Sequence, residues 1–224
     1  MNHISLIKAT PWDTAALGMP TWELTEYSEA ALQKSSESKG HYTLRIDPLT
    51  NKRLVREYGF YYCDTLIEPF CTAAQLSMAH HPDAAISKSI DKAQALDICQ
   101  GAFSHGRFHR DFNLPKPSAD QRYNNWLAQL LETKCVYGLY WDGSMAGFIG
   151  YSGNKLVLHA VAKDYRGKGL SKYWWRAVCS ELLQNGHDEI ASSVSATNLA
   201  AVKLYASLGF NFRNPQDVYH RLVQ

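Results

Sequence analysis

A glycine-rich turn between a strand-like run and a helical run constrains the fold of this chain more than any other feature. The apolar, β-branched residues 155–161 predict a buried strand, and a helix-compatible run follows the turn at residues 166–171. Gly167 and Gly169 lack the Cβ atoms that would keep a ligand away from the main chain. Successive N–H groups can therefore converge on an anion at the helix N-terminus, so the sequence predicts a phosphate-binding turn.

The residue types in this turn select among the known phosphate-binding loops. The turn lacks the Gly-Lys-Ser/Thr ending of a nucleotide-hydrolysing P-loop, and the sequence contains no Gly-x-Gly-x-x-Gly dinucleotide fingerprint. Its pattern, Arg-x-x-Gly-x-Ser, closely resembles the acyl-CoA loop Gln/Arg-x-x-Gly-x-Gly/Ala of the GNAT acetyltransferases. The difference is Ser171 at the last small-residue position, which still allows close approach of a ligand.

A second motif downstream strengthens this resemblance. Residues 192–198 end in Asn198, a short helical stretch carrying Tyr205 follows, and Gly209-Phe210 closes it. GNAT proteins show this order where one central strand splays from its neighbour. Asn198 and Tyr205 are seven positions apart, which places them on nearly the same helix face. The resemblance implies an α/β GNAT fold, with a mixed central sheet whose central strands splay apart.

Composition and charge restrict the classes of function. The chain has 224 residues and a net charge of +2, so it can bury one large or two small cores, and no strong field favours nucleic acid. Its five cysteines are scattered without a C-x-x-C pair, which is typical of a reducing compartment. Neither a signal-peptide core at the N-terminus nor a membrane-length apolar run is present, so we expect a cytoplasmic protein without a membrane partner.

The N-terminal part predicts a smaller α/β domain that resembles half of a GNAT domain. Strand-like residues 42–46, a helix over 48–58, Gly59-Phe60 and a further strand repeat the order of residues 190–223. Val55 then takes the place of Tyr205, although chance similarity of two short segments stays an alternative. A polar stretch at residues 80–83 predicts the boundary, giving a partial domain at 1–80 and the acetyltransferase domain at 81–224.

A loop that alternates basic and aromatic residues predicts the acceptor site. It contains His105, Arg107 and His109, and such a segment suits a ligand with phosphates and a flat ring. It resembles a segment of the GNAT subgroup that includes TDP-fucosamine acetyltransferase, as does Trp12-Asp13 near the start of the chain. A merely solvated loop is the alternative. We expect no metal, because no third ligand lies near the two histidines in sequence.

The resemblance also implies roles for individual residues. Acetyl-CoA is the implied co-substrate, and Tyr205 would protonate the departing thiolate, since its phenol stays protonated at neutral pH. The Val161 N–H would stabilise the oxyanion, and Asn198 would bond the pantetheine arm or a backbone group. The residues predicted to bind the co-substrate are Val161, Arg166, Gly167, Lys168, Gly169, Leu170, Ser171 and Asn198.

The general base is a separate question, because the central strand carries no glutamate. His159 shares strand parity with Val161 and is the candidate on that side of the strand. A buried structural histidine, with proton loss through ordered water, is the alternative.

These features together predict an acetyl-CoA-dependent N-acetyltransferase whose acceptor is the amine of a nucleotide-linked (TDP) amino sugar. An acceptor that is a small amine, an antibiotic or a protein N-terminus is the alternative within the same chemistry. A non-catalytic CoA-binding protein is the alternative from another class. A homodimer is expected from the resemblance alone.

Overall fold

The computed structural model describes residues 5–224, so the first four residues of the predicted N-terminal domain (1–80) lie outside the described residues. The strands are β1 (Ile7–Ala9), β2 (Thr21–Leu24), β3 (Gly40–Ile46), β4 (Tyr61–Thr72), β5 (Ala84–Ser87), β6 (Val136–Trp141), β7 (Ser144–Ser152), β8 (Lys155–Val161), β9 (Glu189–Ser192), β10 (Val194–Ser195) and β11 (Asn211–Val223). The helices are α1 (Pro11–Leu17), α2 (Glu29–Lys34), α3 (Arg53–Glu57), α4 (Lys92–Cys99), α5 (Arg107–Arg110), α6 (Lys116–Glu132), α7 (Ser171–Gln184) and α8 (Leu199–Ser207).

The chain divides into two compact units that are not contiguous in sequence. The first unit comprises the described residues up to Leu66 with Ser104–Arg122 and Asn214–Gln224, and the second comprises Ile67–Phe103 and Tyr123–Arg213. This division differs from the expected one at residues 80 and 81. The reason is that the unit boundaries fall inside β4 and β11, so neither unit is one continuous stretch of the chain.

The second unit is built on a mixed sheet in the order β4-β9-β8-β7-β6-β5. β5 to β8 pair antiparallel, whereas β8 and β9 run parallel. Alternate side chains of β7 serve opposite faces: Ile149 packs in the cluster with Trp174 of α7, and Phe148 packs in the cluster with Leu127 of α6. The helices thus cover both faces, which confirms the predicted α/β GNAT fold with a mixed sheet.

A tight hairpin joins β6 and β7, as the Asp-Gly pair predicts. Asp142 and Gly143 both have positive φ, at 47° and 74°. These values suit the two-residue turn whose twist matches that of the flanking strands.

The strands that belong wholly or partly to the first unit follow the order β1-β2-β3-β11-β4. β2 and β3 are parallel, and β3 and β11 are antiparallel. Tyr42 and Leu44 of β3 are fully buried and pack with Leu32 of α2 and Val55 of α3.

The predicted internal repeat has matching backbone geometry in both copies. The Phe60 N–H donates to the Val55 carbonyl at 3.0 Å, and the Phe210 N–H donates to the Tyr205 carbonyl at 3.1 Å. In both copies a glycine of positive φ precedes the phenylalanine. The copies differ in packing, because a Cβ at Gly209 would lie 2.1 Å from the Gln75 carbonyl oxygen, whereas one at Gly59 would meet no atom within 4 Å.

Side-chain caps and turns set the ends of two helices. Asp91 caps α4, accepting from the Gln94 N–H at 3.0 Å, and α4 ends at Cys99, shortly before Gly101 with its φ of 67°. The helix expected from Pro48 starts only at Arg53, because the Asp47 side chain accepts from the Leu49 N–H at 2.7 Å and closes a local turn. In the described part of the chain, none of the helices has the length and apolarity that crossing a lipid bilayer requires.

Candidate active site

The parallel strands β8 and β9 pair over only two residues and then separate. Lys155 pairs with Ala191 and Leu156 with Ser192, whereas β8 continues to Val161. The Ser192 hydroxyl donates to the Leu156 carbonyl at 2.8 Å, just where the separation begins. This is the splay expected from the family resemblance, although the bridging role of Ser192 had no signal in the sequence.

The register of β8 determines which of its main-chain groups face the gap between β8 and β9, which we call the splay. The Ala162 N–H donates to the Ala146 carbonyl at 2.8 Å, so residues of even number in this part of β8 exchange hydrogen bonds with β7. In an antiparallel ladder, the residues between them direct N–H and C=O to the other edge. His159 and Val161 therefore present their main-chain groups to the edge that β9 leaves unpaired.

Arg166 connects the glycine loop to the end of β8. Its Nε donates to the Val161 carbonyl at 2.7 Å. This contact satisfies the carbonyl and leaves the Val161 N–H as the polar group that faces the splay. Part of the Arg166 guanidinium thus positions the loop, in addition to the phosphate contact predicted for it.

The loop glycines are required by backbone conformation. Gly167 and Gly169 have φ of 74° and 70°, and a Cβ at either would meet no atom within 4 Å. Residues with side chains seldom adopt this left-handed region. Two such glycines in one exposed loop allow successive N–H groups to turn towards a common point, as a phosphate-binding nest requires.

Helix α7 begins at Ser171 without a side-chain cap. Leu170 is its N-cap residue, no side chain accepts from the first turn, and the first turn carries no acidic residue. Its N-terminal N–H groups are thus unobstructed beside the nest, where the helix dipole favours an anion. Lys168 lies with its Nζ 5.9 Å from the centre of the Tyr165 ring, on the exposed side of the loop.

Tyr205 and His159 form a hydrogen-bonded pair in the second unit. The Tyr205 hydroxyl lies 3.1 Å from His159 Nε2, and the Tyr205 side chain is fully buried against Phe210. Burial raises the pKa of the Tyr205 phenol above its usual value, so the phenol keeps its proton. Burial lowers the pKa of His159 to about 4, so its imidazole is neutral at pH 7 and forms a hydrogen bond with the phenol through Nε2.

Asn198 is the N-cap of α8. Its Oδ1 accepts from the Ala201 N–H at 3.2 Å. The residue thus bonds a backbone group of its own helix, which orients the helix that carries Tyr205. Contact of Asn198 with the pantetheine arm stays a prediction.

The three residues predicted to bind the acceptor belong to the first unit, whereas the glycine loop belongs to the second. His109 Nε2 lies 2.9 Å from Asp120 Oδ1, and the Arg107 guanidinium lies 4.7 Å from the centre of the Phe108 ring. His105 is exposed. His109 is therefore engaged by a carboxylate of its own unit, and acceptor binding by the three residues stays a prediction.

The second unit has a mixed sheet whose parallel strands β8 and β9 separate after two paired residues. A loop with two left-handed glycines and a helix without a side-chain cap follow β8. This combination is typical of the GNAT acyltransferase fold. Residues 105–210 match the acetyltransferase (GNAT) family. The matched stretch, which contains the glycine loop and Tyr205, is similar to that family.

Relatives of known sequence and structure agree with this class. An N-acetylaspartate synthetase of Xenopus tropicalis is 33% identical over 95 residues, which cover 40% of this chain and 34% of that protein. The chain thus matches about a third of the length of that curated relative. A GCN5-related N-acetyltransferase of Sphaerobacter thermophilus superposes with a TM-score of 0.68 at 12% identity, covering 97% of this chain and 76% of that one. A GNAT-family putative acetyltransferase of Novosphingobium aromaticivorans gives 0.58 at 16% identity, covering 100% and 91%. At these identities, the structural matches show the fold.

Proposed function

We propose that this chain is an acyl-CoA N-acetyltransferase that moves an acetyl group from acetyl-CoA to a primary amine of a small molecule. The observation that carries the proposal is the combination of the splayed β8 edge with the nest at Gly167 and Gly169 and the open N-terminus of α7. The nest and helix end suit the diphosphate of coenzyme A. The splay offers main-chain groups to the pantetheine arm.

The proposed reaction uses the Val161 N–H and the Tyr205 hydroxyl. The neutral amine attacks the thioester carbonyl, and the oxyanion that forms accepts a hydrogen bond from the Val161 N–H. The C–S bond then breaks, the electron pair stays on sulfur, and the Tyr205 hydroxyl supplies a proton to the thiolate. The nitrogen that attacked carries an extra proton, which it loses to water, and a proton from water returns to the Tyr205 phenolate, so the net products are the amide and the free thiol of coenzyme A.

In this proposal His159 is a positioning residue for Tyr205. With a pKa of about 4, the imidazole is too weak a base to take a proton from an alkylammonium group at neutral pH. Its hydrogen bond at 3.1 Å orients the phenol instead. The general-base role suggested by strand parity is thereby the less favoured alternative.

Two classes of acceptor fit the chemistry. A nucleotide-linked amino sugar, as in the TDP-fucosamine acetyltransferase subgroup, is supported by the Arg107 segment and its resemblance. An amino acid or a similar small amine is supported equally by the relative named N-acetylaspartate synthetase, at 33% identity over 95 residues.

The test is acetyl transfer measured on an acceptor panel. The purified protein is incubated with acetyl-CoA and, in separate arms, with TDP-amino sugars, with aspartate and other amino acids, and with simple polyamines. Release of free thiol is followed together with the mass of the acetylated product. Thiol release above hydrolysis in one arm identifies the acceptor class. If calorimetry shows that coenzyme A binds but no arm shows turnover, the proposed enzymatic activity is contradicted. That result would support a non-catalytic CoA-binding protein.

Compartment and assembly are further proposals. We propose a cytoplasmic location on the cysteine pattern of the sequence, and a homodimer on the family resemblance alone. Light scattering at micromolar concentration measures the assembly directly.

A further inference from the structure

Three side chains of metal-ligand type meet in the buried interior of the first unit. They are His41 on β3, Asp111 directly after α5 and His220 on β11, with one ligand atom of each within 4.8 Å of the others. Their relative exposures are 1%, 2% and 0%. Such a concentration of polar groups needs compensation, since an uncompensated buried carboxylate is strongly unfavourable.

Both imidazoles turn towards the same carboxylate oxygen. His41 Nε2 lies 3.1 Å and His220 Nδ1 lies 2.8 Å from Asp111 Oδ2. Ligands about 2.0–2.1 Å from a tetrahedral zinc ion are separated by roughly 3.3 Å. The 3.1 Å distance is close to this spacing, and the 2.8 Å distance is about 0.5 Å shorter, which a small movement of one side chain would correct.

The scaffold around these residues is rigid. In the antiparallel pairing of β3 with β11, His41 faces Leu222 and Thr43 faces His220, so the two histidines are diagonal neighbours on one sheet face. The Tyr61 hydroxyl donates to Oδ1 and Oδ2 of Asp111 at 3.1 and 3.0 Å, and the Asn113 N–H donates to Oδ1 at 3.0 Å. Ligating carboxylates are usually supported by an outer layer of hydrogen bonds of this kind.

We propose that His41, Asp111 and His220 form a structural binding site for a divalent transition metal ion, with zinc as the best chemical match. Imidazole nitrogen and carboxylate oxygen are ligands that zinc accepts, with a water as the fourth donor. The residues are too buried for a substrate to reach the ion, so its role is to hold β3, β11 and the segment after α5 together. This proposal revises the expectation that the chain binds no metal.

The rival arrangement is a hydrogen-bonded cluster without an ion. The ionised Asp111 offers about four lone-pair positions, and four donors surround it: two imidazoles, one phenol and one amide. In either arrangement His220 Nε2 is buried with no hydrogen-bond partner among the described residues, because Nδ1 is the nitrogen that faces Asp111. The two arrangements differ in whether an ion is present, which can be measured directly.

The experiment uses the full chain without a histidine tag. Metal content is measured by inductively coupled plasma mass spectrometry, and the chelator-stripped protein is then titrated with Zn²⁺ and with Co²⁺. We expect one equivalent of ion per chain and visible d–d absorption from bound Co²⁺. The melting temperature should rise by roughly 5–10 °C when the ion is about 100-fold above its dissociation constant.

Two variants assign the ion to this cluster. Asp111→Asn should lose the bound equivalent and the response of melting temperature to metal, whereas His80→Ala, which removes an exposed histidine of the second unit, should behave as the unchanged chain. If Asp111→Asn fails to fold, His41→Gln repeats the comparison, and the Co²⁺ titration of the stripped protein decides independently. Absence of a stoichiometric ion, of Co²⁺ absorption and of any shift in melting temperature would overturn the proposal and leave the hydrogen-bonded cluster.

Discussion

At the scale of single residues, the contact between Tyr205 and His159 is the most informative feature of the second unit. Each residue had a separate prediction in the sequence, one as acid and one as base. The structure joins them through one hydrogen bond of 3.1 Å and buries the phenol completely. The consequence is a protonated phenol whose orientation depends on a neutral imidazole.

Replacing Tyr205 by Phe tests the phenol as the proton donor. The ring and its packing against Phe210 are kept, so the fold and coenzyme A binding should persist. Loss of the proton donor should lower kcat by about 100-fold or more. Turnover with the identified acceptor and calorimetry with coenzyme A measure the two effects separately. An unchanged kcat would remove Tyr205 from the chemistry.

The lowered pKa of His159 predicts a specific acid sensitivity. In the unfolded chain the imidazole has a pKa near 6.5 and in the folded chain about 4, so below pH 6.5 the unfolded state binds more protons. The contribution to stability is therefore complete above about pH 6.5 and declines by up to about 3 kcal/mol as the pH falls towards 4.

His159→Gln removes this titration, so its unfolding free energy should fall less steeply than that of the unchanged chain between pH 6.5 and 4. Urea unfolding at several pH values measures the difference, which isolates His159 from other buried groups. Parallel curves would contradict a neutral buried imidazole.

At the scale of elements, the glycine loop and the start of α7 act together. The left-handed conformation of Gly167 and Gly169 orients the main chain, and the missing cap leaves the helix end open. Neither feature depends on a side chain, so substitutions that change the backbone are the direct test.

Gly167→Ala and Gly169→Ala should each weaken coenzyme A binding, because a Cβ disfavours positive φ by about 1–2 kcal/mol and displaces the nest. Gly153→Ala is a matched control: its φ is also positive, a Cβ there meets no atom within 4 Å, and it lies in the turn between β7 and β8. All three variants should lose similar stability in thermal unfolding, but only the loop variants should lose affinity in calorimetry. Equal loss of affinity in the control would contradict the nest.

At the scale of the whole molecule, the two units share strands along the chain, and this decides which fragments can fold. The second unit needs the end of β4, where Phe70 pairs with Ala191 and Cys71 with Ile190 of β9. Cys71 is also buried in the cluster around Trp174. A division at residue 80 separates these partners.

We therefore expect the fragment 81–224 not to fold cooperatively, because β9 would lose its antiparallel neighbour and expose a buried strand edge. Circular dichroism and thermal unfolding of the fragment, compared with the full chain, measure this. A fragment with a cooperative transition like that of the full chain would support the contiguous division expected from the sequence instead.

The sequence by itself determined the features that depend on neighbouring residues. The glycine loop, the Asp142-Gly143 hairpin, the Asp91 cap and the repeated Gly-Phe segment could be predicted because local backbone preferences and short hydrogen bonds create them. The same preferences carry the family resemblance, which is why the fold class could be predicted before the structure.

Only the tertiary structure decided which distant groups meet. His159 lies 46 positions from Tyr205, and Asp111 lies 70 from His41 and 109 from His220. The hydrogen bond from Ser192 to Leu156 also joins residues that are distant in sequence. The same holds for the division of β4 and β11 between the units, which no local pattern predicts. Strand register and burial create these contacts, and a one-residue slip would turn every side chain of a strand to the opposite face. Sequence spacing does not predict these contacts, because the entropic cost of closing a long loop changes little with the length of the loop.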